Sequence, residues 1–157
     1  MSGRVRAMRP GDVGPVYQLE CALFPDDAWT EEMFHSELAL PGSRHYLVVE
    51  EDGRLIGYAG LAVFGREGEV QTIAVHASHW GAGTGSRLLT LLLDEAARRG
   101  CTDVSLAVRS DNDRAQALYR RFGFELIGVR PGYYSRAGVD GLVMRLTGVR
   151  GRVDARG

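Results

Sequence analysis

Apolar positions along the chain change period several times, and each change marks an element. Residues 5–8 read as a short strand that ends at the turn residues Pro10 and Gly11. Val13, Val16, Tyr17 and the run Leu19 to Leu23 then give one apolar face, which predicts a first helix with Asp12 as its N-cap. Pro25, Asp26 and Asp27 break it. Thr30 predicts the cap of a second helix, with Glu31 and Glu32 in the first turn, where carboxylates suit the helix dipole. Met33, Phe34, Leu38 and Leu40 supply its buried side, and Pro41-Gly42 stops it.

Strand candidates follow at 46–50, 55–64 and 69–75, the first two flanking Asp52-Gly53, a strong hairpin signal. Leu88, Leu89, Leu92, Leu93 and Ala96 mark a third helix, and Arg98, Arg99 and Gly100 form its end. Residues 101–108 predict a strand with Val104, Leu106 and Val108 on one face and Ser105 and Ala107 on the other. Asn112 then caps a helix running through Ala115, Leu118, Tyr119 and Phe122 to Gly123, and 124–129 and 141–146 form two closing strands. The order β α α β β β α β α β β contains a strand–helix–strand crossover within an otherwise meandering sheet. It predicts one mixed α/β (α+β) domain over residues 1–147, with seven strands and four helices. From Gly148 onward glycine and arginine dominate, so residues 148–157 are expected to be a disordered tail.

Composition narrows the function classes. A net charge of −1 argues against a nucleic-acid binder with a broad basic surface. Cys21 and Cys101 show no metal-ligand or disulfide spacing, so no metal is expected and a reducing compartment fits. The apolar runs are too short for a membrane span and the N-terminus lacks an apolar signal core, which makes the cytoplasm the expected location.

The stretch from Ile73 to Leu89, IAVHASHWGAGTGSRLL, carries the most specific chemistry. A strand end leads through Gly81, Gly83 and Gly85 into a leucine-rich helix. Such a turn presents backbone N–H groups and the positive end of the helix dipole, which bind phosphate without lysine. The chain has no lysine, which excludes a Walker-type P-loop, and Ser86 stands where a dinucleotide fingerprint needs glycine or alanine. A glycine-rich connector with no ligand remains the plain alternative.

Strand, short loop, G-x-G-x-G and helix in mid-chain resemble the pyrophosphate loop of the GCN5-related N-acetyltransferases (the GNAT fold, a mixed and mostly antiparallel sheet with four helices). The family's usual [Q/R]-x-x-G-x-[G/A] begins here with Trp80, a departure that removes one side-chain contact. Three more segments narrow the resemblance. LFPDDAWTEEMFHSEL, VRSDNDRAQALYRRFGF and RPGYYSRAGVDGLVMRL are similar to the F-P…W segment, the asparagine–tyrosine helix and the closing Y-Y segment of bacterial ribosomal-protein-alanine N-acetyltransferases, the RimI type.

That resemblance implies acetyl-CoA as cosubstrate and the N-terminus of a ribosomal protein as acceptor, with direct transfer and no acyl-enzyme. It implies that Ile73, Ala74 and Val75 pair through their backbone with the pantetheine arm. Gly81, Ala82, Gly83, Thr84, Gly85 and Ser86 would cradle the pyrophosphate, and Asn112 would contact the cofactor besides capping its helix. Tyr119 falls where the family keeps its general acid; a phenol near ~10 suits protonation of a departing thiolate. Phe24 and Trp29, with Tyr133 and Tyr134, would line the acceptor mouth, the alternative being packing of a two-helix lid. Asp26, Asp27, Glu31 and Glu32 would attract a basic peptide or merely be solvated. His76 and His79 read as surface or phosphate-side residues.

One position conflicts with the family. Its general-base glutamate, in L-E-V-R, is replaced by Ala107 in Leu106-Ala107-Val108-Arg109. An α-amine with a pKa of ~7.7–8.0 is about one-tenth neutral at pH 7, whereas a lysine at ~10.4 is neutral in only ~0.04% of molecules. Ala107 therefore favours an α-amine acceptor. Glu69, at the start of the central strand, is the candidate replacement base acting through water, its alternative being a solvated carboxylate. Two further readings stay open: a small-amine acetyltransferase, and an acyl-CoA-binding protein with weakened catalysis.

Overall fold

Helix and strand boundaries follow the hydrophobic pattern to within a few residues, except in the closing strands. The computed structural model describes residues 3–149. Its elements are β1 (Arg4–Ala7), α1 (Val13–Leu23), α2 (Glu31–Leu38), β2 (Arg44–Glu51), β3 (Arg54–Phe64), β4 (Glu67–Val75), α3 (Thr84–Arg98), β5 (Asp103–Arg109), α4 (Asp113–Arg121), β6 (Glu125–Tyr134) and β7 (Val139–Thr147), with short 3-10 turns at Pro10–Asp12 and Ala77–His79. The strands form one sheet in the order β1-β2-β3-β4-β5-β7-β6. β4 and β5 pair in parallel, while β1/β2, β2/β3, β5/β7 and β6/β7 are antiparallel. A mixed α/β fold with four helices and a mostly antiparallel seven-stranded sheet is what the element order predicts.

By contacts the chain divides into two units. One takes the chain up to Ala62 together with Gln71–Leu92; the other takes Val63–Val70 and the chain from Leu93 onward. In the first, Met8, Val13, Val16, Leu19, Phe34, Tyr46, Val48, Tyr58 and Ala74 form a core, and Phe24 and Trp29 pack at its margin. The β2–β3 hairpin turns on Asp52 (φ 52°) and Gly53 (φ 78°), both left-handed, as a two-residue turn of the favoured twist requires.

Thr30 caps α2 as expected, its hydroxyl accepting from the Met33 N–H at 3.1 Å. Asp12 does not cap α1 with its side chain. Its carboxylate instead accepts from the Arg9 N–H and forms a two-bond pair with Arg6, each contact 2.8 Å long. A guanidinium on β1, six residues back, outcompetes the local helix N–H groups, because a charge-assisted paired bond is the stronger one.

In the second unit, Val104, Leu106 and Val108 of β5 are buried and Ala107 is exposed, as the alternation predicts. The β4–β5 register runs Glu67↔Asp103, Gly68↔Val104, Glu69↔Ser105. Gly68 permits this approach, since a Cβ there would lie 3.1 Å from the Val104 side chain. Arg145 ties the two strand starts together, donating to Glu67 at 2.7 Å and to Asp103 at 2.6 Å.

The closing strands are longer than the pattern suggests, and Tyr133 and Tyr134 lie inside β6. The Gly132 N–H donates to the Asp140 carboxylate at 2.8 Å, and Gly141 leaves room for Tyr133, whose Cβ would be 3.0 Å from a side chain there. Of the expected tail, Gly148 and Val149 are described. Val149 is fully buried and its N–H donates to the Thr102 carbonyl at 2.8 Å, so order continues past Thr147. Residues 150–157 lie outside the described residues.

Candidate active site

In the first unit the exit of β4 runs into the glycine loop. Gly81 (φ 84°) and Gly83 (φ 86°) both take the left-handed conformation that side chains resist, and α3 begins immediately at Thr84. Gly85, expected in the loop, therefore lies in the first helical turn with Thr84 and Ser86. The Arg87 N–H donates to the Gly83 carbonyl at 3.0 Å, so the N–H groups of Thr84, Gly85 and Ser86 precede that bond at the positive end of a 15-residue helix. A Cβ built on Gly81 meets nothing within 4 Å, so the loop has open space above it. This donor set suits an anion held by backbone.

Trp80, 48% exposed, has a defined task. Its indole N–H donates to the Val75 carbonyl at 2.7 Å, tying the strand exit to the residue before Gly81. The 3-10 turn between them is held by side chains. Ser78 Oγ lies 2.7 Å from His76 Nδ1 and 2.9 Å from His79 Nδ1, and His79 Nε2 lies 3.3 Å from Glu51. Ile73 and Val75 are half-buried and Ala74 is buried. Gly57 lets β3 approach this strand, since a Cβ there would be 3.0 Å from the Ala74 carbonyl oxygen.

Phe24 and Trp29 sit in the same unit on the link between α1 and α2. The Trp29 ring packs on Phe34 with centroids 5.0 Å apart, and Phe34 meets Tyr58 edge-on at 5.9 Å. Beneath this link lies a group that reading by residue type passed over. Glu20 is only 3% exposed; one carboxylate oxygen accepts from the Trp29 N–H at 2.9 Å and the other from the Tyr58 hydroxyl. Burial pushes the Glu20 carboxyl above its usual range, against the lowering effect of the Tyr58 and Trp29 bonds. The available signal was a charged residue in register with Val13 and Val16 on the apolar face of α1.

In the second unit Asn112 caps α4, its Oδ1 accepting from the Ala115 N–H at 3.1 Å. Tyr119 is 5% exposed, with its ring 5.8 Å from Phe124. Burial, with Tyr134 adding to it, pushes the Tyr119 phenol well above the ordinary tyrosine range, so it rests as a protonated donor. Tyr134 lies under the Arg109 guanidinium at 5.8 Å and meets Tyr133 edge-on at 5.0 Å, while Arg130 covers Tyr133 at 5.5 Å.

Glu69 is exposed at the last paired position of the β4–β5 register, beside Ser105. Ser105 and Ala107 share a strand face, so the Glu69 and Ala107 positions are diagonal neighbours on that face. Among the described residues no group of three or more His, Cys, Asp or Glu is placed to hold a metal ion, and no helix is long and apolar enough to cross a membrane.

These features are those of an acyl-CoA-dependent transferase, and comparison with known proteins agrees. The chain belongs to the acetyltransferase (GNAT) family, which matches residues 14–124; its enzymes transfer an acetyl group from acetyl-CoA to an amine. It is 44% identical over 146 residues to the N-alpha-acetyltransferase RimI of Mycobacterium tuberculosis, covering 90% of each chain. It is 30% identical over 133 residues to the [ribosomal protein bS18]-alanine N-acetyltransferase of Escherichia coli K12, covering 83% of this chain and 86% of that one. The crystal structure of the ribosomal-protein-S18-alanine N-acetyltransferase from Escherichia coli superimposes with a TM-score of 0.81 at 27% identity, over 93% of this chain and 94% of that one.

Proposed function

We propose that this chain is an Nα-acetyltransferase that acetylates the N-terminal alanine of a ribosomal protein from acetyl-CoA, by direct transfer. The observation that carries the reading is the β4–loop–α3 segment, with two left-handed glycines set directly before a helix whose first N–H groups point outward from the ladder. The residues present fit the cosubstrate: the first-turn N–H groups of Thr84, Gly85 and Ser86 suit its pyrophosphate, and the half-buried end of β4 suits backbone pairing with an extended arm. When bound, acetyl-CoA supplies an activated thioester carbonyl.

The chain's own residues then divide the remaining work. Tyr119 holds a proton on its buried phenol for the departing sulfur. Glu69 accepts the proton lost by the attacking amine, through water, in place of the carboxylate that Ala107 lacks. Phe24, Trp29, Tyr133 and Tyr134 line the acceptor mouth, and Asn112 meets the cosubstrate while it caps α4. An α-amine suits this arrangement because a usable neutral fraction already exists at pH 7.

The test follows acetyl-CoA consumption with an alanine-starting peptide, its N-blocked form and a peptide whose only amine is lysine. Turnover confined to the free α-amine is the expected result; equal rates on lysine and α-amine would refute the reading. Ala107 supports one second reading, a protein that binds acetyl-CoA and turns over slowly. Tight binding with no turnover on any α-amine peptide is its signature.

A further inference from the structure

The first unit contains two buried tyrosines that sit diagonally on β2 and β3, Tyr46 in register with Gly60 and Tyr58 with Val48. Each hydroxyl donates to a glutamate on a different helix: Tyr46 to Glu37 of α2 at 2.6 Å, and Tyr58 to Glu20 of α1. Gly60 makes room for this pair, since a Cβ there would fall 2.2 Å from the Tyr46 ring. Both helices are thus pinned to the sheet by a phenol–carboxylate bond.

Glu37 also pairs with Arg44 of β2 at 2.9 Å, whereas Glu20 binds the link between the helices. Its second oxygen reaches past α1 to the backbone N–H of Trp29, nine residues on, in the link that joins the two helices. A core-facing carboxylate is an expensive way to pack a helix, because burial disfavours its charge. Leucine at that register position would continue the Val13–Val16 face. What leucine cannot do is hold a backbone N–H at a set distance from β3.

We propose that Glu20 is the positioning residue of the acceptor mouth, fixing the Phe24–Trp29 link on Tyr58 so that the Trp29 ring stands in one place for the incoming peptide. The proposal rests on the assignment of Phe24 and Trp29 to that mouth. Glu20 touches no reacting atom; it acts through the backbone of Trp29.

Three variants test it, each assayed for peptide KM, kcat and acetyl-CoA affinity. Glu20→Gln keeps an oxygen for the Trp29 N–H and an amide for Tyr58, so it retains parental peptide KM within about twofold. Glu20→Leu fills the space and removes the clamp. It is expected to lower peptide kcat/KM about tenfold to a hundredfold, mainly through KM, the scale on which misplaced binding groups act. Its acetyl-CoA dissociation constant stays within about twofold.

A Trp80→Phe background leaves Trp29 as the sole tryptophan, and Glu20→Leu then shifts its emission to the red and exposes it to iodide quenching. Glu20→Leu with parental peptide KM and parental Trp29 emission overturns the proposal, whatever its melting temperature. Trp29→Ala in the same assay separates the two assignments. If it leaves peptide KM unchanged, the mouth reading fails and carries the proposal with it. If it raises peptide KM while Glu20→Leu does not, the mouth stands and Glu20 alone is wrong.

Discussion

The indole N–H of Trp80 donates to the carbonyl oxygen of Val75 across 2.7 Å, so a residue that departs from the family's Gln/Arg position closes the turn between strand and glycine loop. Trp80→Phe keeps the ring and removes the bond. A neutral hydrogen bond is worth about 0.5–1.5 kcal/mol, so the acetyl-CoA dissociation constant is expected to rise about two- to tenfold by calorimetry. Tighter binding in the variant would mean that the indole competes for a carbonyl the cosubstrate needs.

Tyr119 is protonated and deeply buried, which makes it a donor held in reserve. Tyr119→Phe removes only the hydroxyl. It is expected to lower kcat by about 10²–10⁴, the usual contribution of a positioned acid, and to leave acetyl-CoA affinity unchanged. Loss of affinity with little change in kcat would assign the residue to packing against Phe124.

Glu69 and Ala107 form the second catalytic question. Glu69→Gln is expected to lower kcat/KM for an alanine peptide about 10²-fold, the lower end of what a positioned base contributes, and superimposable pH–rate profiles would eliminate Glu69 as base. Ala107→Glu puts a carboxylate on the exposed face of β5, next to Val143 in the register. It is expected to raise kcat/KM most below neutral pH, where the neutral amine fraction is smallest.

Glu20 gives stability a pH dependence with a definite sign. Its carboxyl is raised in the folded protein, chiefly by burial, so the folded state binds the proton more tightly than the unfolded chain. That contribution is fully present below the ordinary glutamate range and is lost as pH rises through the raised value. The melting temperature of Glu20→Gln, relative to the parent, is therefore expected to increase from acid to neutral pH. Each kcal/mol amounts to about 2–4 °C for a chain of this length. A constant difference across that range would show that Glu20 titrates as an exposed carboxyl.

What could be read in the sequence was what is local in the chain. Thr30 and Asn112 cap their helices because the N–H groups they meet are three residues away. Asp52-Gly53 makes its turn because both residues accept left-handed backbone. The glycine loop was recognisable for the same reason, although the helix starts early enough to take in Gly85. Asp12 misled because its partner, Arg6, lies on β1 and competes with the helix. The extension of β6 depends on Asp140 reaching Gly132, eight residues back, which no periodicity reveals. Glu20 acquires meaning only from Tyr58, thirty-eight residues on. Sequence pattern marks it as anomalous; only the fold shows the two groups that share its charge.

The buried Val149 moves the working edge of the domain. A chain ended at Thr147, where the hydrophobic pattern stops, would lose both the Val149 side chain and its bond to the Thr102 carbonyl. Burial of a valine is worth about 1.5–3 kcal/mol, a sizeable share of the margin that keeps a domain folded. Anyone shortening, tagging or fusing this enzyme has to keep Val149, a structural residue that the glycine- and arginine-rich context conceals.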